Sequence, residues 1–263
     1  MLMVRCSDGA EIAVYDPNPG GSPTVLLVPG FLLPHQMYEY QVQELLRRGY
    51  RPVAFDPRGG GFSAAEVGDY SYSQMAKDIL HIVNTLRLHQ FVLVGFSTGG
   101  AVALRYMNQC GGQGVKKLVL LAAASNFPSG ALMETAARLQ QLARADRPQM
   151  CWELTRILFK QPHSEAVLEW FSSLALAASP LGTSQFLENL CKEDCRWDLA
   201  HVHVPTAIFQ GAEDVFLPCG LTEYQHREIG NSRLYTMEHS GHGLFYDELE
   251  PFNAAFFSFI AEE

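Results

Sequence analysis

The chain has 263 residues, 48% of them apolar and 18% charged, and a formal net charge of −9. That length is enough for one large α/β domain with a full core or for two small domains, in the composition of a soluble globular protein. Lys and Arg are not clustered, which excludes nucleic acid and an anionic membrane as principal partners.

Met1–Arg5 and Glu11–Tyr15 read as strands joined by a turn at Asp8-Gly9. Thr24–Val28 is a dense apolar strand ending at Pro29-Gly30, and Gln36–Arg48 a helix stopped by Gly49. Arg51–Phe55 is the next strand. Ser73–Leu86 is an amphipathic helix with Met75, Ile79, Ile82, Val83 and Leu86 on one side. Phe91–Val94 is a short buried strand; Gly95–Gly100 is a turn and Ala101–Gln109 a helix. Val115–Ala122, Val204–Gln210 and Ser232–Thr236 complete the strands, and Pro251–Ala261 is a closing helix. This alternation predicts an α/β fold, a mostly parallel eight-stranded sheet flanked by helices. From 126 to 200 the alternation gives way to Ala-, Leu-, Trp- and Phe-rich helical sequence and then resumes. A helical cap at 126–200, inserted within a single domain spanning 1–263, is the expectation.

Met1–Asp8 carries no basic stretch leading into an apolar run, and no run of about 18 apolar residues offers a membrane span. A cytoplasmic location is therefore expected. Cys6, Cys110, Cys151, Cys191, Cys195 and Cys219 are scattered through a chain too large to need disulfide staples, so free thiols are expected.

Gly95-Phe96-Ser97-Thr98-Gly99 fits a G-x-S-x-G pattern lying between an apolar strand and a helix. A chain that reverses there strains the serine backbone and crowds its neighbours, which glycines relieve. Serine needs a base to take its proton, and histidine titrates near working pH. His242, between Gly241 and Gly243 in the last loop, is the candidate; His239 is the competitor. A carboxylate must orient the imidazole. Asp214 lies in the loop after the strand Thr206–Phe209 and completes the chain order Ser, acid, His, with Glu213 as its nearest rival. The oxyanion requires two backbone N–H groups, worth roughly 3 kcal/mol each. Thr98 would give one and Phe31, in the loop after Val28, the other.

These residues resemble the α/β-hydrolase superfamily along essentially the whole chain. The carriers are Pro29-Gly30-Phe31, Asp56-Pro57-Arg58-Gly59-Gly60-Gly61-Phe62-Ser63, Gly95–Gly100, Gly211–Asp214 and Gly241-His242. Phe96-Ser97-Thr98-Gly99-Gly100 resembles the branch of esterases, enol-lactonases and cofactor-free haloperoxidases or perhydrolases. Pro29 departs from the family's frequent His-Gly. The resemblance implies Asp56 and Arg58 as scaffold charges, a small-molecule substrate and no cofactor or metal.

Trp152, Trp170 and Phe171 are candidate pocket walls for a modest hydrophobic substrate, although helical spacing alone would also place them in the core. Cys191, Cys195, His201 and His203 are close in sequence but match no common zinc spacing. The expected activity is hydrolysis of a carboxylic ester or lactone. The rivals are cofactor-free perhydrolase or oxygenase chemistry on the same residues, and a ligand-binding receptor on the hydrolase scaffold.

Overall fold

A computed structural model describes residues 1–31, 33–63, 68–123, 125–126 and 131–262. Its eight strands are β1 (Leu2–Arg5), β2 (Glu11–Tyr15), β3 (Thr24–Val28), β4 (Arg51–Phe55), β5 (Phe91–Phe96), β6 (Val115–Leu121), β7 (Thr206–Gly211) and β8 (Ser232–Met237). They form one sheet in the order β1-β2-β4-β3-β5-β6-β7-β8. β1 and β2 pair antiparallel, as do β2 and β4; every later pairing is parallel. This is the mostly parallel sheet that the alternating sequence predicts.

A parallel sheet is covered on both faces, so its strands are apolar on both sides. Successive residues then feed opposite cores. Leu26, Val28, Leu93, Leu118 and Leu120 join one core with Ile79 and Ile82 of α2 (Tyr72–Thr85), which follows α1 (Glu39–Arg47), and Leu104 of α3 (Thr98–Gln109). Val25, Leu27, Val92, Val94 and Val119 join the other, with Val42 and Leu45 of α1.

Between β6 and β7 the described residues form four α-helices, α4 (Ala131–Ala145), α5 (Arg147–Leu158), α6 (Glu165–Leu176) and α7 (Pro180–Leu190), and a 3-10 turn over Arg196–His201. Side chains of Asp146, Ser164 and Ser179 accept the N–H of Gln149, Val167 and Gly182 and so start α5, α6 and α7. Residues 127–130 of this helical stretch, and Leu32 in the loop after β3, lie outside the described residues. The chain closes with α8 (Cys219–Glu228), α9 (Leu244–Asp247) and α10 (Leu249–Ala261). Phe252 and Phe256 of α10 cover the second core.

Several boundaries differ from expectation, among them the start of the helix after β3, which is a 3-10 turn over His35–Tyr38 before α1, and two that have a clear physical reason. α3 begins at Thr98, directly after the serine, because the two glycines that read as a turn are needed for close approach and fit a helix. The closing helix begins at Leu249, with Pro251 in its first turn, where a missing N–H costs little. The six cysteines are free. Among the described residues no helix is long and apolar enough to cross a membrane.

Candidate active site

Ser97 stands between the central strand β5 and α3 with φ 53° and ψ −121°. A non-glycine residue there stores roughly 1–3 kcal/mol of strain, which the packed strand and helix must hold. The Ser97 N–H donates to the Leu121 carbonyl at 2.8 Å and pins the turn to β6. Gly99 lets the turn approach β3: a Cβ there would collide with the carbonyls of Val28 and Pro29.

Asp214 and His242 lie in the loops after β7 and β8, and the fold brings them together. His242 Nδ1 is 2.7 Å from Asp214 Oδ2. Asp214 Oδ1 accepts the N–H groups of Phe216 at 2.8 Å and Leu217 at 3.0 Å. Both oxygens are thus engaged, and the carboxylate is fully buried. Since a carboxylate only accepts, Nδ1 carries the proton and Nε2 keeps the lone pair that a general base requires. The ring lies between Phe96 and Phe216, with centroids at 4.9 and 5.1 Å.

Glu213 and His239, the rivals to these two residues, face outward. Glu213 pairs with Lys160 at 2.5 Å, and His239 is exposed. Ser97 and His242 line one cavity with no hydrogen bond between the hydroxyl and the ring. Such a gap is common before substrate binds.

That cavity encloses roughly 800 Å³, counting its open mouth. Phe31 and Thr98 line it beside Ser97. Neither of their backbone N–H groups has a hydrogen-bond partner among the described residues. Thr98 opens α3, whose N-terminus favours negative charge. Among the described residues the inserted helices add mostly apolar walls, Leu139, Leu154, Leu158, Phe171, Ala175 and Leu190, with Thr135 and Thr155 as polar exceptions.

Of the three aromatic residues expected at the pocket, Phe171 lines this cavity, whereas Trp170 and Trp152 do not. Adjacent residues on a helix point about 100° apart, so Trp170 turns away. It packs on Tyr246 and on the ring of Phe171, at 6.4 and 5.0 Å. Trp152 is half-buried on α5.

Among the described residues no three His, Cys, Asp or Glu side chains gather as a metal cage, and Cys195 is buried with its thiol toward the Ala101 carbonyl at 3.6 Å. Asp56 and Arg58 are enmeshed in the scaffold. Asp56 accepts the His35 and Phe62 N–H groups, at 2.8 and 2.7 Å. Arg58 grips Asp78 at 2.7 and 2.6 Å.

Sequence reasoning missed Asp247, at the end of α9. Its buried carboxylate accepts the N–H groups of Gly241 at 2.8 Å, Lys160 at 2.8 Å and Gln161 at 3.1 Å, and meets His163 Nε2 at 2.9 Å. It ties the His242 loop to the α5–α6 connection. No local spacing signals such a hub; its nearness to His242 in sequence is the only clue.

A family model described as alpha/beta hydrolase fold matches residues 23–167. The chain is 36% identical to AB hydrolase superfamily protein YisY of Bacillus subtilis, over 93% of this chain and 94% of that one. It is 29% identical to a putative non-heme chloroperoxidase of Synechocystis, over 98% of this chain and 99% of that one. Among solved structures, an esterase from Exiguobacterium antarcticum superposes with a TM-score of 0.95 at 36% identity, covering 99% of both chains.

Proposed function

Since the chain belongs to the α/β-hydrolase fold family, we propose that it is a serine hydrolase cleaving a carboxylic ester or lactone of a small hydrophobic substrate through an acyl-enzyme. The observation that carries this is the buried Asp214–His242 pair at 2.7 Å, opening on a cavity shared with the strained Ser97.

His242 Nε2 takes the Ser97 proton as Oγ attacks the carbonyl carbon. The carbonyl oxygen becomes an oxyanion held by the Phe31 and Thr98 N–H groups. As the C–O bond breaks, His242 returns the proton to the leaving alcohol. A water molecule, deprotonated by His242, then attacks the acyl carbon, and Ser97 leaves with its hydroxyl restored. Asp214 orients the ring and stabilises its cation throughout.

The chain acts as one domain in this reading, with the 126–200 insertion as its cap. The apolar walls contributed by α4 to α7 support that and suit a hydrophobic small molecule.

A panel of esters, lactones and thioesters tests the proposal, with Ser97→Ala as control. The variant is expected to lose at least ~10³-fold in kcat. Retention of more than roughly a tenth of wild-type turnover by Ser97→Ala would end it.

The chloroperoxidase-named relative favours a second outcome at the same site. Hydrogen peroxide in place of water would attack the acyl-enzyme and release a peroxy acid. Peroxy-acid formation from an acyl donor and peroxide, abolished in Ser97→Ala, identifies it. Ligand binding without turnover by wild type would point instead to a receptor.

A further inference from the structure

A second, smaller chamber adjoins Ser97. It encloses roughly 320 Å³, counting its mouth, and Ser97 and Thr98 line it as they line the apolar cavity. Leu190 and Leu217 border both and form the partition. The other described residues that line it carry polar groups: Tyr72, Ser125, Asn126 and Glu193.

Ser125 is 1% exposed, yet its Oγ has no hydrogen-bond partner among the described residues. A buried hydroxyl left unpaired costs roughly 1–3 kcal/mol, so it marks a place where a ligand can pair it. The backbone around it is already held. The Ser125 carbonyl accepts the Cys195 N–H, and Asn126 bridges to Asp194. The side chains are thus left to face the chamber.

Glu193 accepts the Tyr72 N–H at 2.8 Å and stands 3.5 Å from Arg105, which pairs more closely with Asp198 at 2.8 Å. An anion entering the chamber would meet that carboxylate. A neutral group that both donates and accepts fits Ser125, Asn126 and Glu193 together.

The imidazole fixes which arm of the substrate goes there. His242 lines the apolar cavity and not the polar chamber. The leaving oxygen takes its proton from that ring, so the alcohol arm lies in the apolar cavity. The acyl arm, on the other side of the tetrahedral carbon, enters the polar chamber.

We propose that the chamber of Ser125, Asn126 and Glu193 is an acyl subsite for a short acyl arm bearing a neutral hydroxyl. The inference rests on the ester-hydrolase reading above.

The test compares 2-phenylethyl butyrate with 2-phenylethyl 3-hydroxybutyrate, alike but for one hydroxyl, by release of 2-phenylethanol. Wild type is expected to favour the hydroxylated ester in kcat/KM by roughly threefold to tenfold, the contribution of one neutral hydrogen bond. Ser125→Ala and Asn126→Ala should each pull that ratio toward one. Ser125→Ala should melt no lower than wild type, because it removes an unpaired buried hydroxyl, whereas a structural serine would lower the melting temperature. Turnover of both esters without preference, or a preference that survives both substitutions, overturns the subsite alone. Turnover of neither by wild type overturns the subsite and the ester-hydrolase reading together.

Discussion

Asp247→Ala removes one carboxylate and four interactions. The Lys160 N–H is exposed and finds water at little cost, whereas the Gly241 and Gln161 N–H groups are partly buried and lose their partner. Each such loss costs roughly 1–3 kcal/mol, and the His163 contact goes as well. Relief from burying a charge offsets part of this, leaving about 3 kcal/mol. In a chain of this size that lowers the melting temperature by roughly 6–12 °C. Gly241 immediately precedes His242, so the loop that carries the imidazole also loses one of its anchors, and kcat should fall roughly tenfold to a hundredfold. Asp247→Asn keeps one acceptor oxygen and should fall about midway in both readings. Calorimetric melting, with ester hydrolysis measured at 25 °C where the fold persists, reads both effects. A melting temperature within about 2 °C of wild type, with kcat within about twofold, would refute the assignment of Asp247 as a positioning residue.

Phe171→Ala should change the range of esters accepted and cost roughly 3–5 kcal/mol, because the ring is fully buried and lines the cavity. Trp170→Ala should alter stability more than range, and substrate profiles beside melting curves of the two variants check the contrast. Burial pushes the Cys6 thiol up to about 12 and raises those of Cys110, Cys151, Cys191 and Cys219 as well. Ellman's reagent at pH 8 should therefore label the native protein slowly and the unfolded protein at once. The sign follows from the folded thiols holding their protons longer. Their contribution to stability is complete below the unfolded value near pH 9 and is lost as pH rises toward the folded ones, so urea midpoints should decline from about pH 9 upward.

The central strands were legible because they are dense apolar runs with turn residues beside them, and β3, β5 and β7 are buried almost throughout, whereas β8, half polar, was marked by its position before the last loop. Chain order and loop position were enough to single out Asp214 and His242, which meet although 28 residues apart. Other features were hidden for physical reasons. Gly99 and Gly100 look like a turn because glycine disfavours helix, but the approach of Gly99 to β3 and of Gly100 to Ala123 outweighs that propensity. Periodicity marks the apolar stripe of α6 without telling which of Trp170 and Phe171 meets the cavity. Ser125 and Asp247 depend on contacts between residues far apart in the chain, and no local pattern encodes those.

Each polar group assigned to the reaction sits just past the carboxyl end of a parallel strand: Phe31 after β3, Ser97 and Thr98 after β5, Asp214 after β7 and His242 after β8. None belongs to α4 through α7, which furnish the greasy enclosure above them. On the proposed reading, bond-breaking and the apolar share of guest choice therefore reside in separable stretches of polypeptide, while the chamber of Ser125, Asn126 and Glu193 lies outside α4 to α7. A graft of that one contiguous helical segment from a homologue would carry a foreign appetite onto an untouched engine, and diversity introduced there can be screened for altered taste without rebuilding the means of cleavage.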